Sequence, residues 1–184
     1  MDRRPAVRGG LLAAAALCLA ACGGGGGTAG TPTATPSPAP AASPTDLSTL
    51  DACSLVSVAT ASQLVGGQVA QVSISATSAT SFCVYASGKA SDGLAVFVQQ
   101  TPGGDAKKVV QAALDRNAAP SAHLSTAVKG IGDAAGTKTD AHNAAVIFAT
   151  HNLLVVLTAT SAGKSGTDLL PKLEAIAKQV AAKL

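Results

Sequence analysis

The chain has 184 residues, with 13 Lys+Arg against 10 Asp+Glu, no Trp, one Tyr and three Phe. That length suits one domain of ordinary size, and the only adjacent basic pair beyond the start, Lys107-Lys108, is no footprint for nucleic acid. Tyr85, Phe82, Phe97 and Phe148 are all needed for a core otherwise built from Ala, Val, Leu and Ile, which excludes an exposed aromatic platform for stacking bases or sugars.

The first element is a leader. Arg3, Arg4 and Arg8 precede an apolar run from Leu11 to Ala21. The run is shorter than the roughly 18 residues a membrane span needs, and Gly23 to Gly27 stops any helix. A basic start, a short apolar run and small residues before a break read as a secretory signal over residues 1–21. Cys22 directly after Leu19-Ala20-Ala21 resembles the bacterial lipobox. The resemblance implies cleavage before Cys22, a diacylglyceryl thioether on its sulfur and acylation (a palmitate, for example) of its new amino group. It places the rest of the chain on the extracytoplasmic face of the membrane, lipid-anchored.

Residues 22–46 read as a tether. Gly23 to Gly27 is followed by Pro32, Pro36, Pro38, Pro40 and Pro44 among Thr, Ser and Ala. Such a composition cannot bury a core, and closely spaced prolines favour extended polyproline II. The tether spaces the domain from the membrane, and its Thr and Ser fit O-glycosylation by composition.

Residues 47–184 read as one domain. Ser57 caps a helix with Val58, Ala61, Leu64 and Val65 at helical spacing, ended by Gly66-Gly67. Val69 to Ala76 reads as a strand with Val72, Ile74 and Ala76 alternating. Phe82 to Ala86 follows with Cys83 and Tyr85 on one face, then a strand with Leu94, Val96 and Val98 facing one way. Thr101 to Gly104 breaks it. Asp105 caps a helix carrying Val109, Val110, Ala113 and Leu114, which ends by Pro120.

The second half repeats the outline. A weak strand near Leu124 to Val128 leads to Gly130-Ile131-Gly132-Asp133-Ala134-Ala135. Ala144 to Thr150 and Leu153 to Thr160 form a hairpin about a His151-Asn152 turn, and the nearly all-apolar second strand is expected at the sheet centre. A helix starts at Thr167 or Asp168, with Pro171 in its first turn and Leu169, Leu173, Ile176, Ala177, Val180 and Leu184 as its stripe. The order αβββ-αβββ-α predicts an α+β domain, an antiparallel sheet of about six strands with three helices on one face.

Cys18 leaves with the leader and Cys22 is lipidated in this reading. Cys53 and Cys83 remain, an even pair in an oxidising compartment, and read as a disulfide. Two separate buried thiols are the alternative. The Cys53-Ser54-Leu55 start, the helix closing on Gly66, the Phe82-Cys83-Val84-Tyr85 strand and the Gly130 to Ala135 segment, in that order, resemble a large set of actinobacterial cell-envelope lipoproteins of unknown function. The resemblance spans Leu50 to Leu184. Tyr85 stands where many of that group carry Trp, and the first helix lacks their usual acidic residues. The group implies no agreed activity.

The remaining motifs offer little chemistry. Gly163-Lys164-Ser165 lies between strand and helix, but Thr158 stands where a phosphate-binding loop needs its first Gly. His123, His142 and His151, with Asp133 and Asp140, lack the spacing that presets two metal ligands on one element, so they read as exposed loop residues. Asp133 after Gly132 is a turn residue before it is a cation ligand. Glu174 pairs with Lys178 on an outer helix face. No Gly-x-Ser-x-Gly elbow is present. The expectation is therefore no catalytic, cofactor, nucleotide or metal site. The chain reads as a non-enzymatic binding or interaction module, anchored through Cys22, with an envelope lipid, glycan or protein as partner. The alternatives are an envelope enzyme with an unmarked site, or a sensor or accessory domain of a membrane complex.

Overall fold

The computed structural model describes residues 46–88, 92–101, 103–116, 122–125 and 128–184. The leader, and the tether up to residue 45, lie outside the described residues. No helix among the described residues is long and apolar enough to cross a membrane. The fold is α+β with an antiparallel sheet. Among the described residues there are seven strands and four helices rather than six and three.

The helix ends follow from local chemistry. Asp51 caps α1 (Ala52–Leu55), its carboxylate accepting from the Cys53 N–H at 2.8 Å. Ser57 caps α2 (Val58–Val65), and Gly66 ends it in the left-handed region at φ 84°. Lys164 Nζ donates to the Leu64 carbonyl and Lys183 Nζ to the Leu55 carbonyl, each at 2.8 Å, so a cation sits at the negative end of both helices. α3 covers Ala106–Arg116 and α4 Gly166–Ala181. The start of α4 lies one to two residues before the expected Thr167 or Asp168. Ser165 is the cap, in a reciprocal capping box with Asp168. The Ser165 hydroxyl and N–H hold the Asp168 carboxyl below the usual carboxylate range. Pro171 consequently falls in the second turn, where it removes the backbone bond to Thr167.

The strands are β1 (Val69–Ala76), β2 (Thr80–Ser87), β3 (Gly93–Gln100), β4 (His123–Ser125), β5 (Ala134–Thr139), β6 (Asn143–Thr150) and β7 (Leu153–Thr160). Their spatial order is β1-β2-β3-β7-β6-β5-β4, with every pair antiparallel. Two meanders, β1–β3 and β4–β7, join along β3 and β7. β7 is central, as its apolar sequence predicts. The added strand is β5. Its sequence, Ala-Ala-Gly-Thr-Lys-Thr, has little strand character, and its neighbours determine its state. The added helix is α1, a single turn.

The helices divide between the two faces, correcting the expectation that all lie on one. α1, α2 and α4 cover the inner face, where Tyr85, Phe148, Leu94, Leu157, Leu169 and Leu173 are fully buried. α3 alone lies on the outer face, over β5 and β6, with Val110 and Leu114 packed near Ile147, Ala149 and Leu154. Gly136 permits that approach, because a Cβ there would come within 2.6 Å of the Leu114 side chain.

Candidate functional site

β2 carries three inward residues that pin α1. Cys83 bonds to Cys53, with a Cα–Cα separation of 5.2 Å. The disulfide thus replaces the alternative of two separate thiols. Ser81 Oγ donates to the Leu50 carbonyl at 2.6 Å and accepts from the Ala52 N–H at 3.2 Å. The Tyr85 hydroxyl reaches the carbonyls of Cys53, at 2.9 Å, and of Val56. Burial raises the pKa of that phenol, and the Asp51 charge adds to the effect. These are structural fastenings.

The motifs that might have carried chemistry are fastenings as well. Lys164 is engaged at the end of α2 and Ser165 at the start of α4. Ile131 is buried in the inner core. Gly132 has φ 55°, and a Cβ there would lie 2.3 Å from the Ala149 carbonyl oxygen. Asp133 accepts the His151 N–H at 2.8 Å, closing the β6–β7 turn, where His151 itself takes φ 53°. His142 lies in the turn before β6, and His123 on β4.

The described aspartates show one pattern. Asp46, Asp51, Asp92, Asp105, Asp133, Asp140 and Asp168 each accept a backbone N–H, from Ser48, Cys53, Ala162, Lys107, His151, Asn143 and Ser165 respectively. Asp115 accepts from the Gln111 side chain at 2.7 Å. For Asp140, burial favours the neutral acid, but bonds from Asn143 and His142 and the nearby Lys138 charge outweigh it and lower the pKa. Carboxylates tied to turn and cap N–H groups serve the local backbone. Among the described residues, no group of three His, Cys, Asp or Glu could hold a metal ion.

The open apolar surface lies on the outer face, beside α3. Since α3 sits over β5 and β6, the outward residues of β2, β3 and β7 are only half covered. Phe82 and Phe97 are cross-strand partners there, with ring centroids 6.2 Å apart and planes at 66°. With Ala95, Leu154 and Val156 they floor a hollow of about 390 Å³ that Arg116 and Gln99 border. A second hollow of about 270 Å³ shares Val156 and Thr158 and extends past Ile147 to Lys138 and Asp140. The structure here corrects the expectation that all four aromatics serve a closed core. Tyr85 and Phe148 do, whereas Phe82 and Phe97 do not. Their placement was available in the sequence. Cys83 and Tyr85 assign one face of β2, so alternation sends Phe82 and Val84 to the other.

No protein-family model matches this chain, and no curated protein sequence matches it either.

Proposed function

We propose that the protein is an extracytoplasmic, lipid-anchored binding module of the actinobacterial cell envelope. In this reading residues 1–21 are a cleaved leader, Cys22 carries the lipid, residues 22–46 are a spacer and residues 47–184 are the binding domain. The observation that carries the binding half is the outer face: an apolar floor around Phe82, Ala95, Phe97 and Val156, beside a helix that leaves it open. Such a floor with few polar groups at its border suits an apolar or amphipathic ligand. The engagement of seven of the eight described aspartates with backbone N–H groups favours binding over catalysis.

Two measurements test the two halves. Cys22→Ala, or inhibition of the lipoprotein signal peptidase, should shift the protein from the membrane fraction to the medium or leave the precursor uncut. Unchanged fractionation and mass would refute the anchor. Ala95→Trp should fill the larger hollow and abolish co-purification of lipid with the full chain in native mass spectrometry, the fold being checked by circular dichroism. If wild-type protein carries no lipid, or the variant carries as much, the outer face is not the ligand site.

A further inference from the structure

The two edges of the sheet are unlike. β4 is three residues long, a length that leaves little edge to template on. β1 is eight residues long and pairs only with β2. Its start is closed, because the Val69 N–H donates to Ser62 Oγ of α2 at 3.2 Å. Beyond that point nothing among the described residues covers it. Val72 and Ile74 are 59% and 55% exposed, and Gln71, Ser75 and Ala76 are exposed with them. The Thr77 N–H donates to Thr80 across the turn, so alternation turns the N–H and C=O of Ile74 and Ala76 away from β2.

Sequences usually guard such an edge with charge or proline. This one does neither. From Ala52 to Gly88 the chain contains no Asp, Glu, Lys, Arg, His or Pro. Its one guarding device is a bulge at Val72, which limits the pairing segment to the residues from there onward.

We infer that β1 is a self-pairing edge, joining two copies of this chain antiparallel into one continuous sheet across a two-fold axis at Ile74. The charge pattern favours a second copy as the occupant. A two-fold pairing sets the residues beside the axis next to their own duplicates, so a charge there would meet its like. Here there is none. In the register centred on Ile74, the two Ile74 residues exchange N–H···O=C bonds, and Val72 lies opposite the second copy's Ala76. The two Ile74 side chains then lie side by side, and each Val72 lies beside an Ala76, as cross-strand neighbours.

The test is site-specific cross-linking of the full chain in the producing cells. Ile74→Cys places two thiols at the axis, and Ala175→Cys on the exposed side of α4 reports random collision. Under mild oxidation Ile74→Cys should give a band at twice the protomer mass, with a yield on the order of tenfold above Ala175→Cys, because paired thiols react at a high effective concentration. Adding Val72→Lys should remove the band. Peptide mapping of the Cys53–Cys83 bond shows that each variant has folded. Equal yields at both positions would overturn the inference. So would a lone adduct of another mass, which would instead assign the edge to a different protein. Sedimentation of the unmodified, detergent-extracted protein gives a second reading, in which a monomer at all concentrations refutes the pairing.

Discussion

The two faces of the sheet use the same kind of residue for different ends. On the inner face three helices close over Tyr85, Phe148 and the apolar stripe of α4, and little surface is left. On the outer face one eleven-residue helix covers two strands and leaves the Phe82–Phe97 pair half buried. Apolar residues on a strand are thus not by themselves a core. They become one only where an element of matching length lies over them. The inner face accounts for stability, and the outer face is where a ligand could be taken up at low structural cost.

Substitutions that remove the same side chain from each face sharpen this contrast. Phe148→Ala should cost about 3–5 kcal/mol, the range for emptying a closed aromatic site. Phe97→Ala should cost about 1–2 kcal/mol, because its ring is already partly exposed and leaves no closed cavity. Paired denaturant titrations measure both, and equal losses would mean that the outer face is as closed as the inner one.

Breaking the disulfide comes next in size. Cys53 and Cys83 are 30 residues apart, and the chain-entropy model gives such a loop about 3–4 kcal/mol. Cys83→Ser should therefore lower the melting temperature far more than a surface substitution does. It also frees Cys53 as a thiol that alkylating reagents detect after unfolding. The melting temperatures of Cys83→Ser and the parent, with the reagent count, check it.

An effect as small as that of Phe97→Ala belongs to the phenol beneath α1. Tyr85→Phe removes the O–H that serves the Cys53 and Val56 carbonyls, for a loss of about 1–2 kcal/mol. It should also change the alkaline limb of the stability profile. The folded-state pKa of Tyr85 is raised, so the folded state keeps its proton after the unfolded chain, near pH 10, has begun to lose it. The stability tied to this proton is whole below about pH 10 and falls as pH rises through the folded-state value. Tyr85→Phe should flatten that decline, and urea unfolding at successive alkaline pH values would show it.

Much of the site's chemistry was legible residue by residue. Thr158 disqualified the phosphate loop, and the structure adds that Lys164 is occupied at the end of α2. Asp133 read as a turn residue, and it closes the β6–β7 turn. The outer face was legible in part. Alternation placed Cys83 and Tyr85 on one side, which sends Phe82 to the other. What the pattern could not say was whether a helix would cover it.

The sequence alone determined the α+β class, the central position of β7 and the caps at Ser57 and Gly66, and it offered Cys53 with Cys83 as a bond or as two separate thiols. Each of these rests on signals within a few residues or on a count of available thiols. The tertiary structure decided the rest. β5 is a strand because β6 and β4 supply its backbone partners, although its own sequence does not ask for one. α3 takes the outer face because Gly136 lets it approach. Val72 and Ile74 alternate as one face of a strand and lie exposed, because β1 is an edge strand. Periodicity records which residues share a face. Whether that face is covered depends on where distant helices come to rest.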